Sequence, residues 1–164
     1  GTGGRTREEV LCGHLVKVLL HPNAEAVAEA ARAFGNFSRD PSCRRALTRR
    51  RADEVLVALI GHPCREVVFA AVGALVNVAT DPACKALLCR ESVGAGERLA
   101  KLVRRAGLAD PGMAELACQA LHNLLIEPAL GVDAVFGSPE TFKKLWWTLK
   151  ELMEACSCEA QGVE

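Results

Sequence analysis

Apolar residues recur at helical spacing along most of the chain, and prolines separate the segments. The stretch EVLVALIGHP (54–63) has apolar positions three and four residues apart, with Asp53 before it as a candidate N-cap. The stretch VVFAAVGALVNVA (67–79) is apolar almost all round, which is typical of a helix buried between neighbours. His-Pro pairs at 21–22 and 62–63 fit helix boundaries, because Pro suits the first helical position and cannot continue the preceding helix. The pattern predicts an all-α protein.

One short motif occurs three times. FGNFSRDP (34–41), LVNVATDP (75–82) and LHNLLIEP (121–128) each place an acid four positions after an Asn, and a Pro directly after the acid. The Asn residues are 41 and 46 positions apart, a period typical of helical solenoids. In each copy the acid-Pro pair begins a short helix, a medium helix follows, and a long helix carries the Asn. The extra residues of the third copy surround ESVGAGERL (91–99), which we expect to be a loop.

Three helices in about 42 residues resemble the armadillo repeat, whereas HEAT repeats have two. The resemblance implies a right-handed α-solenoid with a partial repeat (8–39), two full repeats (40–80 and 81–127) and C-terminal capping helices (128–156). Residues 1–7 are predicted to be linker or expression-derived residues, and residues 157–164 a disordered tail.

Composition narrows the choice of partner. Twenty Lys and Arg residues balance twenty acids, so the chain lacks the bulk positive charge with which proteins bind nucleic acid or anionic membranes. The sequence has no run of about 18 apolar residues and no apolar signal segment at its start. We therefore expect other proteins as partners, without nucleic acid or membrane, and a cytoplasmic location.

Eight Cys residues lack the spacing of a zinc site and the context of a disulfide framework. Cys43 and Cys84 share one repeat position with Leu130. A position that accepts Leu is a packing position, where free Cys behaves as a small hydrophobe. We expect reduced core thiols and no metal.

Common catalytic signatures are missing from the sequence, which contains no GxxxxGK[ST], HExxH or GxSxG. The glycines at 94 and 96 fit a loop better than a phosphate site, because no strand precedes them. His122 has no identifiable catalytic companion. The sequence predicts no enzyme, no cofactor and no small-molecule substrate.

The resemblance to armadillo proteins implies a binding surface on the long helices. In that family these helices line a concave groove, and the repeated Asn can hydrogen-bond the backbone of an extended peptide. Asn36, Asn77 and Asn123 match that position. The alternative is that these side chains bond a neighbouring helix end.

The positions four residues before each Asn refine this expectation. In nuclear-import members of the family a Trp there holds the stem of a bound Lys, whereas this chain has Arg32, Gly73 and Gln119. Arg32 at one end of the predicted groove, with Glu115 and Gln119 at the other, favours a mixed-charge ligand over a polybasic one.

Two further surfaces stand out. The cluster RRALTRRR (44–51) is interpreted as a solvated convex ridge, with an acidic partner such as a tubulin-like tail as the alternative. In SPETFKKLWWTLKELMEAC (138–156), helical spacing places Trp146 in the core and Trp147 among charged residues on the outer face. Trp147 is either incidental or an anchor for a partner at the C-terminal edge.

The segments AARAFGNFSRD, VVFAAVGALVNVATD and ELACQALHNL are similar to the C-terminal repeats of an armadillo protein of motile cilia and sperm flagella. This resemblance implies a non-enzymatic adaptor or assembly factor for axonemal radial spokes. Its partners would be radial-spoke or ciliary-transport proteins, and its location the axoneme of a cilium or flagellum. The alternative is a permanent structural component of an axonemal or cytoskeletal complex.

Overall fold

The structure is a computed structural model that describes residues 7–126 and 131–161, and side chains of the last helix up to residue 155. The described residues form ten helices and no strand, which confirms the predicted all-α fold. The helices are α1 (Arg7–Leu19), α2 (Ala24–Phe37), α3 (Pro41–Arg49), α4 (Ala52–Leu59), α5 (Arg65–Val78), α6 (Pro82–Leu88), α7 (Ala95–Ala106), α8 (Pro111–Leu125), α9 (Val132–Phe136) and α10 (Pro139–Gln161).

The long helices α2, α5 and α8 stack side by side, with α5 between the other two. The medium helices α1, α4 and α7 each pack against the long helix that follows. Because α5 is covered by its own medium helix and by both neighbouring long helices, Ala71, Val72 and Leu75 are fully buried. This is the solenoid predicted from the repeated motif.

Acid-Pro pairs begin the helices as the sequence predicts. The Asp40 carboxylate accepts hydrogen bonds from the main-chain N–H groups of Ser42 (2.8 Å) and Cys43 (3.1 Å), and thereby caps α3. Asp81 caps α6 in the same way, through the N–H groups of residues 83 and 84 at 3.0 and 3.2 Å. Asp110 caps the long helix α8 through Met113 N–H at 3.1 Å. The third motif's acid and Pro lie outside the described residues.

His21 and His62 are turn residues. The Nδ1 atom of each accepts a hydrogen bond from the main-chain N–H two residues later, at 3.1 Å for Asn23 and 3.0 Å for Cys64. Both histidines therefore hold the turn between a medium and a long helix, which confirms their interpretation as helix-boundary residues.

Arg51 and Gly94, directly before the medium helices α4 and α7, are both in the left-handed conformation, as is Gly137 at the end of α9. Arg51 is the N-cap of α4, so the prediction that Asp53 caps this helix is wrong, and Asp53 lies buried in the first turn. The inserted segment 91–99 is only partly a loop, because α7 begins at Ala95.

The C-terminal helix differs from the sequence prediction in two ways. Helix α10 continues to Gln161, into the segment 157–164 that the sequence predicts to be a disordered tail, and residues 162–164 lie outside the described residues. Trp146, predicted to be in the core, is 51% exposed. The buried face of α10 contains Leu145 and turns Trp146 and Trp147 toward the surface together.

Candidate functional site

The Asn row lies on the three long helices. The Asn77 side-chain amide donates a 2.8 Å hydrogen bond to the main-chain carbonyl of Gly35 on α2, and Asn123 donates one of the same length to Val76 on α5. Each acceptor is the residue directly before the preceding Asn. The alternative interpretation, a bond to a neighbouring helix, therefore describes Asn77 and Asn123 in this structure.

These bonds leave part of each amide unused. Within the described residues, the Oδ1 atoms of Asn77 and Asn123 accept no hydrogen bond, and each Nδ2 retains a second N–H. Asn36 is exposed, and its side chain makes no hydrogen bond to the described part of the chain. The row thus combines one exposed amide, at Asn36, with two partly buried amides, each of which uses only one of its N–H groups in a hydrogen bond.

Arg32 and Gly73 lie one turn before Asn36 and Asn77. The Arg32 guanidinium is exposed and forms an ion pair with Glu29 on the same helix. Gly73 has no side chain, and a Cβ built there would meet only Leu116 of α8, at 3.9 Å. The absence of a side chain leaves a gap in the surface at the position where nuclear-import armadillo proteins have Trp.

The C-terminal end of the row is an open depression of about 520 Å³. It is lined by Val76, Glu115, Cys118, Gln119, His122 and Asn123. Within it the Gln119 amide donates to the Glu115 carboxylate at 3.2 Å. The structure therefore brings together three of the predicted groove residues, Glu115, Gln119 and Asn123, whereas Arg32, Asn36 and Gly73 lie on the two preceding helices.

Sequence reasoning missed the aromatic side chain of this surface. Phe69 lies one turn before Gly73 on α5 and is 39% exposed. The Arg65 guanidinium stands 5.3 Å from the Phe69 ring centroid and bonds both oxygens of Asp110, at 2.5 and 2.8 Å. Phe69 stands four residues before Gly73 and so shares its face of α5, and this spacing was the sequence signal that could have identified it. Hydrogen bonding to Arg65 also lowers the pKa of the Asp110 carboxyl.

Most of the arginine cluster at 44–51 has internal partners. Arg44 bonds the carbonyls of Ser38 (2.7 Å) and Arg39 (3.1 Å) and approaches the Asp81 carboxylate at 3.4 Å. Two further ion pairs join Arg49 to Glu9 and Arg51 to Glu54, each at 2.6 Å. The Arg49–Glu9 pair joins α3 to α1, and Arg44 joins α3 to the N-cap of α6, whereas the Arg51–Glu54 pair is local to the start of α4. This cluster is therefore less free for an acidic partner than its sequence indicates.

The described cysteines are packing residues. Cys12, Cys43 and Cys84 are buried, and desolvation raises the pKa of each thiol. Burial of Cys43 and Cys84 confirms that their shared repeat position faces the core. Within residues 7–126 and 131–155, no three His, Cys, Asp or Glu side chains are grouped to hold a metal ion. None of the described helices has the length and apolar character needed to cross a membrane.

Solved structures that are similar to this chain include an engineered protein and designed armadillo repeat proteins. An engineered protein, Northeast Structural Genomics Consortium target OR329, is similar with a TM-score of 0.68 and 25% identity, over 86% of this chain and 62% of that one. The designed armadillo repeat protein YIII(Dq)4CqI is similar with a TM-score of 0.61 and 27% identity, over 69% and 46% of the two chains. Together they establish an armadillo-type α-solenoid.

A third design, the armadillo repeat protein YIII(Dq.V1)4CPAF, was solved in complex with the peptide (KR)4. Its TM-score is 0.60 at 24% identity, over 86% of this chain and 64% of the design. This chain therefore spans less than two thirds of each of these three proteins. No protein-family model matches the sequence, and no curated protein sequence matches it.

Proposed function

We propose that this chain is a non-enzymatic protein-interaction scaffold that binds an extended segment of a partner along its long helices. The observation that carries the proposal is the depression at the end of the Asn row, where Glu115, Gln119 and Asn123 present polar atoms around the apolar side chain of Val76. A main-chain amide of a ligand fits the unused Oδ1 atoms of the row, and a ligand carbonyl fits the second N–H groups.

The charges on this surface favour a mixed-charge ligand. Arg32 and Glu29 form an exposed pair near one end, and Glu115 lies at the other. The basic peptide (KR)4 is the ligand in the structure of the designed armadillo repeat protein, and its binding is a property of that design. Here the position equivalent to the family Trp is Gly73, and the exposed aromatic ring one turn earlier, Phe69, already has the Arg65 guanidinium over it. We therefore expect a ligand with both signs of charge and an aliphatic side chain that enters the gap over Gly73.

A displayed library of extended peptides tests this surface directly. Peptides selected against the wild-type chain are measured again with Gln119→Ala and with Gly73→Leu, which removes a polar contact and fills the gap, respectively. We expect each change to weaken binding about tenfold, or about 1.4 kcal/mol. Leu108→Ala, an exposed change in the turn before α8, is the matched control. Selected peptides that bind all four proteins equally would exclude this surface.

We further propose that the partners belong to motile cilia, with the chain acting as an adaptor or assembly factor for radial spokes. The support is the resemblance of three segments, at 30–40, 67–81 and 115–124, to armadillo repeat-containing protein 2. The location is tested by tagging the protein at its natural abundance in multiciliated cells. If the tagged protein is absent both from the axoneme and from the cytoplasmic pool that supplies the axoneme, the ciliary proposal is contradicted. The scaffold proposal would remain intact.

Fractionation of the same cells separates an adaptor from a permanent axonemal component. An adaptor is extracted by moderate salt, because transient interfaces are polar and screened by ions. Retention in detergent-treated, salt-washed axonemes would favour the permanent component instead.

A further inference from the structure

The medium helices α4 and α7 leave an open space between them. Among the described residues, α1 contacts α4 and α7 contacts α10, whereas α4 and α7 make little direct contact with each other. The space between them, the α4–α7 hollow, has a volume of about 200 Å³. It is lined by Ile60, Gly61, Arg98, Lys101, Leu102 and Arg105. The buried side chains of Ile60 and Leu102 give the hollow an apolar floor.

The side of the hollow formed by α7 is positively charged. Helix α7 has four cations and one acid, a net charge of +3, although the whole chain is neutral. Arg98, Lys101 and Arg105 recur at three- and four-residue spacing and therefore share one face of α7. All three are exposed, so their aliphatic stems line the hollow while their charged groups reach solvent. Lys101 pairs with the Glu97 carboxylate at 2.8 Å.

The other two cations of this face are unpaired. Within the described residues, the guanidinium groups of Arg98 and Arg105 make no hydrogen bond and no ion pair. The acid that lines an adjoining hollow with Arg105 is Asp110, and Arg65 already bonds both oxygens of Asp110. In the cluster at 44–51, by contrast, most arginines have partners within the chain. Carboxylates of another molecule therefore have two unpaired guanidinium groups to bind at the hollow.

We propose that the α4–α7 hollow binds an acidic segment of a partner protein, with one carboxylate on Arg98, one on Arg105 and an aliphatic side chain in the hollow between them. The two arginines are seven residues apart on α7, which is about 10.5 Å along the helix axis. In an extended peptide, side chains four residues apart lie on one face about 13 Å from each other, and the side chain midway lies on that face too. The long arginine side chains span the small difference, so the segment has the pattern acid-x-aliphatic-x-acid.

Two features favour a protein segment over nucleic acid or an anionic membrane. The chain as a whole is neutral and lacks the bulk positive charge with which such polyanions are bound. The apolar floor fits an aliphatic side chain, which a sugar-phosphate backbone does not have. This surface lies on α7 and at the end of α4, away from the Asn row on α2, α5 and α8, so the inference is independent of the ligand proposed above.

The probe is a synthetic peptide with the motif Glu-Ser-Leu-Ser-Glu between short Gly-Ser ends. One control peptide has Gln in place of both Glu residues, and a second has Ser in place of Leu. Binding to the full, isotope-labelled chain is followed by the chemical shifts of its backbone amides, which register even millimolar affinity. We expect saturable shifts centred on residues 60–61 and 98–105. Each control peptide should bind at least about fivefold more weakly.

Variants of the protein test the two parts of the site. Arg105→Ala should weaken binding about fivefold, whereas Arg104→Ala should change it less than about twofold. Arg104 is the matched control, because it is an exposed cation of the same helix that does not line the hollow. Gly61→Leu fills the hollow without a change of charge and should also weaken binding. A Cβ on Gly61 makes an ordinary 3.6 Å contact with the Ala58 carbonyl oxygen, so the turn accommodates the new side chain.

The proposal is overturned if the Glu peptide gives no saturable shifts, or if the shifts centre on another surface. Equal losses for Arg104→Ala and Arg105→Ala would overturn it too, because diffuse attraction to the helix charge would then explain the binding. Duplex DNA and phosphatidylserine vesicles are titrated in parallel. If either shifts the same amides at a lower concentration than the peptide does, the assignment to a protein segment is wrong. Gln119→Ala, which tests the Asn row, should leave these shifts unchanged, so the two proposals fail separately.

Discussion

The side-chain amide of Asn123 on α8 donates a 2.8 Å hydrogen bond to the main-chain carbonyl of Val76 on the neighbouring long helix α5. Asn77 makes the same contact with Gly35 one repeat earlier. The repeated Asn, to which the armadillo resemblance gives a ligand-binding role, therefore joins neighbouring long helices in this structure. The two roles predict different results for substitutions along one row.

Asn77→Ala and Asn123→Ala should each lower the free energy of unfolding by about 0.5–1.5 kcal/mol, because each removes a partly buried hydrogen bond between helices. Asn36→Ala should change it by less than about 0.5 kcal/mol, since the Asn36 side chain is exposed. Urea denaturation followed by circular dichroism measures all three. Equal effects at the three positions would mean that the inter-helix bonds contribute nothing to stability.

The repeat pattern made much of this fold predictable from sequence. The motif at Asn36 and Asn77 marks the ends of α2 and α5, and the acids that follow are the caps of α3 and α6. Local chemistry decides these features, so a single sequence is sufficient. The acceptors of the Asn amides were not predictable, because a donor's choice between a neighbouring helix and a ligand depends on the distance between helices.

Trp146 shows a second limit. Its place in an apolar stripe indicates burial, yet its side chain is 51% exposed. Periodicity identifies the apolar face of a helix, but it does not show whether another helix packs against that face. Phe69 was overlooked for the related reason that an apolar helix gives no sign of which of its residues remains at the surface.

Gly96 allows α9 to approach α7. A Cβ on Gly96 would overlap the carbonyl oxygen of Val135, and a backbone atom cannot rotate away as a side chain does. Gly96→Ala should therefore displace the capping helices and destabilise the protein by about 1–3 kcal/mol, despite the higher helix propensity of Ala.

Gly112→Ala is the matched control, because Gly112 is also the second residue of a helix and a Cβ there meets nothing within 4 Å. It should be neutral or stabilising by up to about 1 kcal/mol. Thermal unfolding of the two variants tests the difference. Similar melting temperatures would show that α9 is not held tightly against α7.

The two tryptophans should contribute little to folding stability in the isolated chain. Trp146→Ala and Trp147→Ala remove side chains that are half exposed, so we expect each melting temperature to stay within a few degrees of wild type. Leu145→Ala, on the buried face of α10, should cost about 2–5 kcal/mol. Differential scanning calorimetry compares the three. A loss for Trp146→Ala as large as that for Leu145→Ala would place Trp146 in the core after all.

Asp53 is a buried acid in the first turn of α4. Its Oδ1 atom has no hydrogen-bond partner among the described residues, and desolvation raises the pKa of its carboxyl. A raised pKa in the folded state means that folding favours the protonated form. The contribution of Asp53 to stability is thus fully present below the unfolded pKa of about 3.9, and is lost as the pH rises through the folded value.

Asp53→Asn keeps the shape of the side chain and removes this pH dependence. At pH 7 the variant should be more stable than wild type by about 1 kcal/mol, because a buried carboxylate with one unpartnered oxygen is more costly than a neutral amide. Toward pH 4 the advantage should shrink, since wild-type Asp53 is then increasingly protonated. Carboxyls with lowered pKa, such as Asp40, whose carboxylate accepts a hydrogen bond from the Ser42 hydroxyl, are present in both proteins and cancel in the difference. Urea denaturation at pH 4.5 and pH 7 measures it, and a stability difference that is constant with pH would show that Asp53 titrates normally in the folded protein.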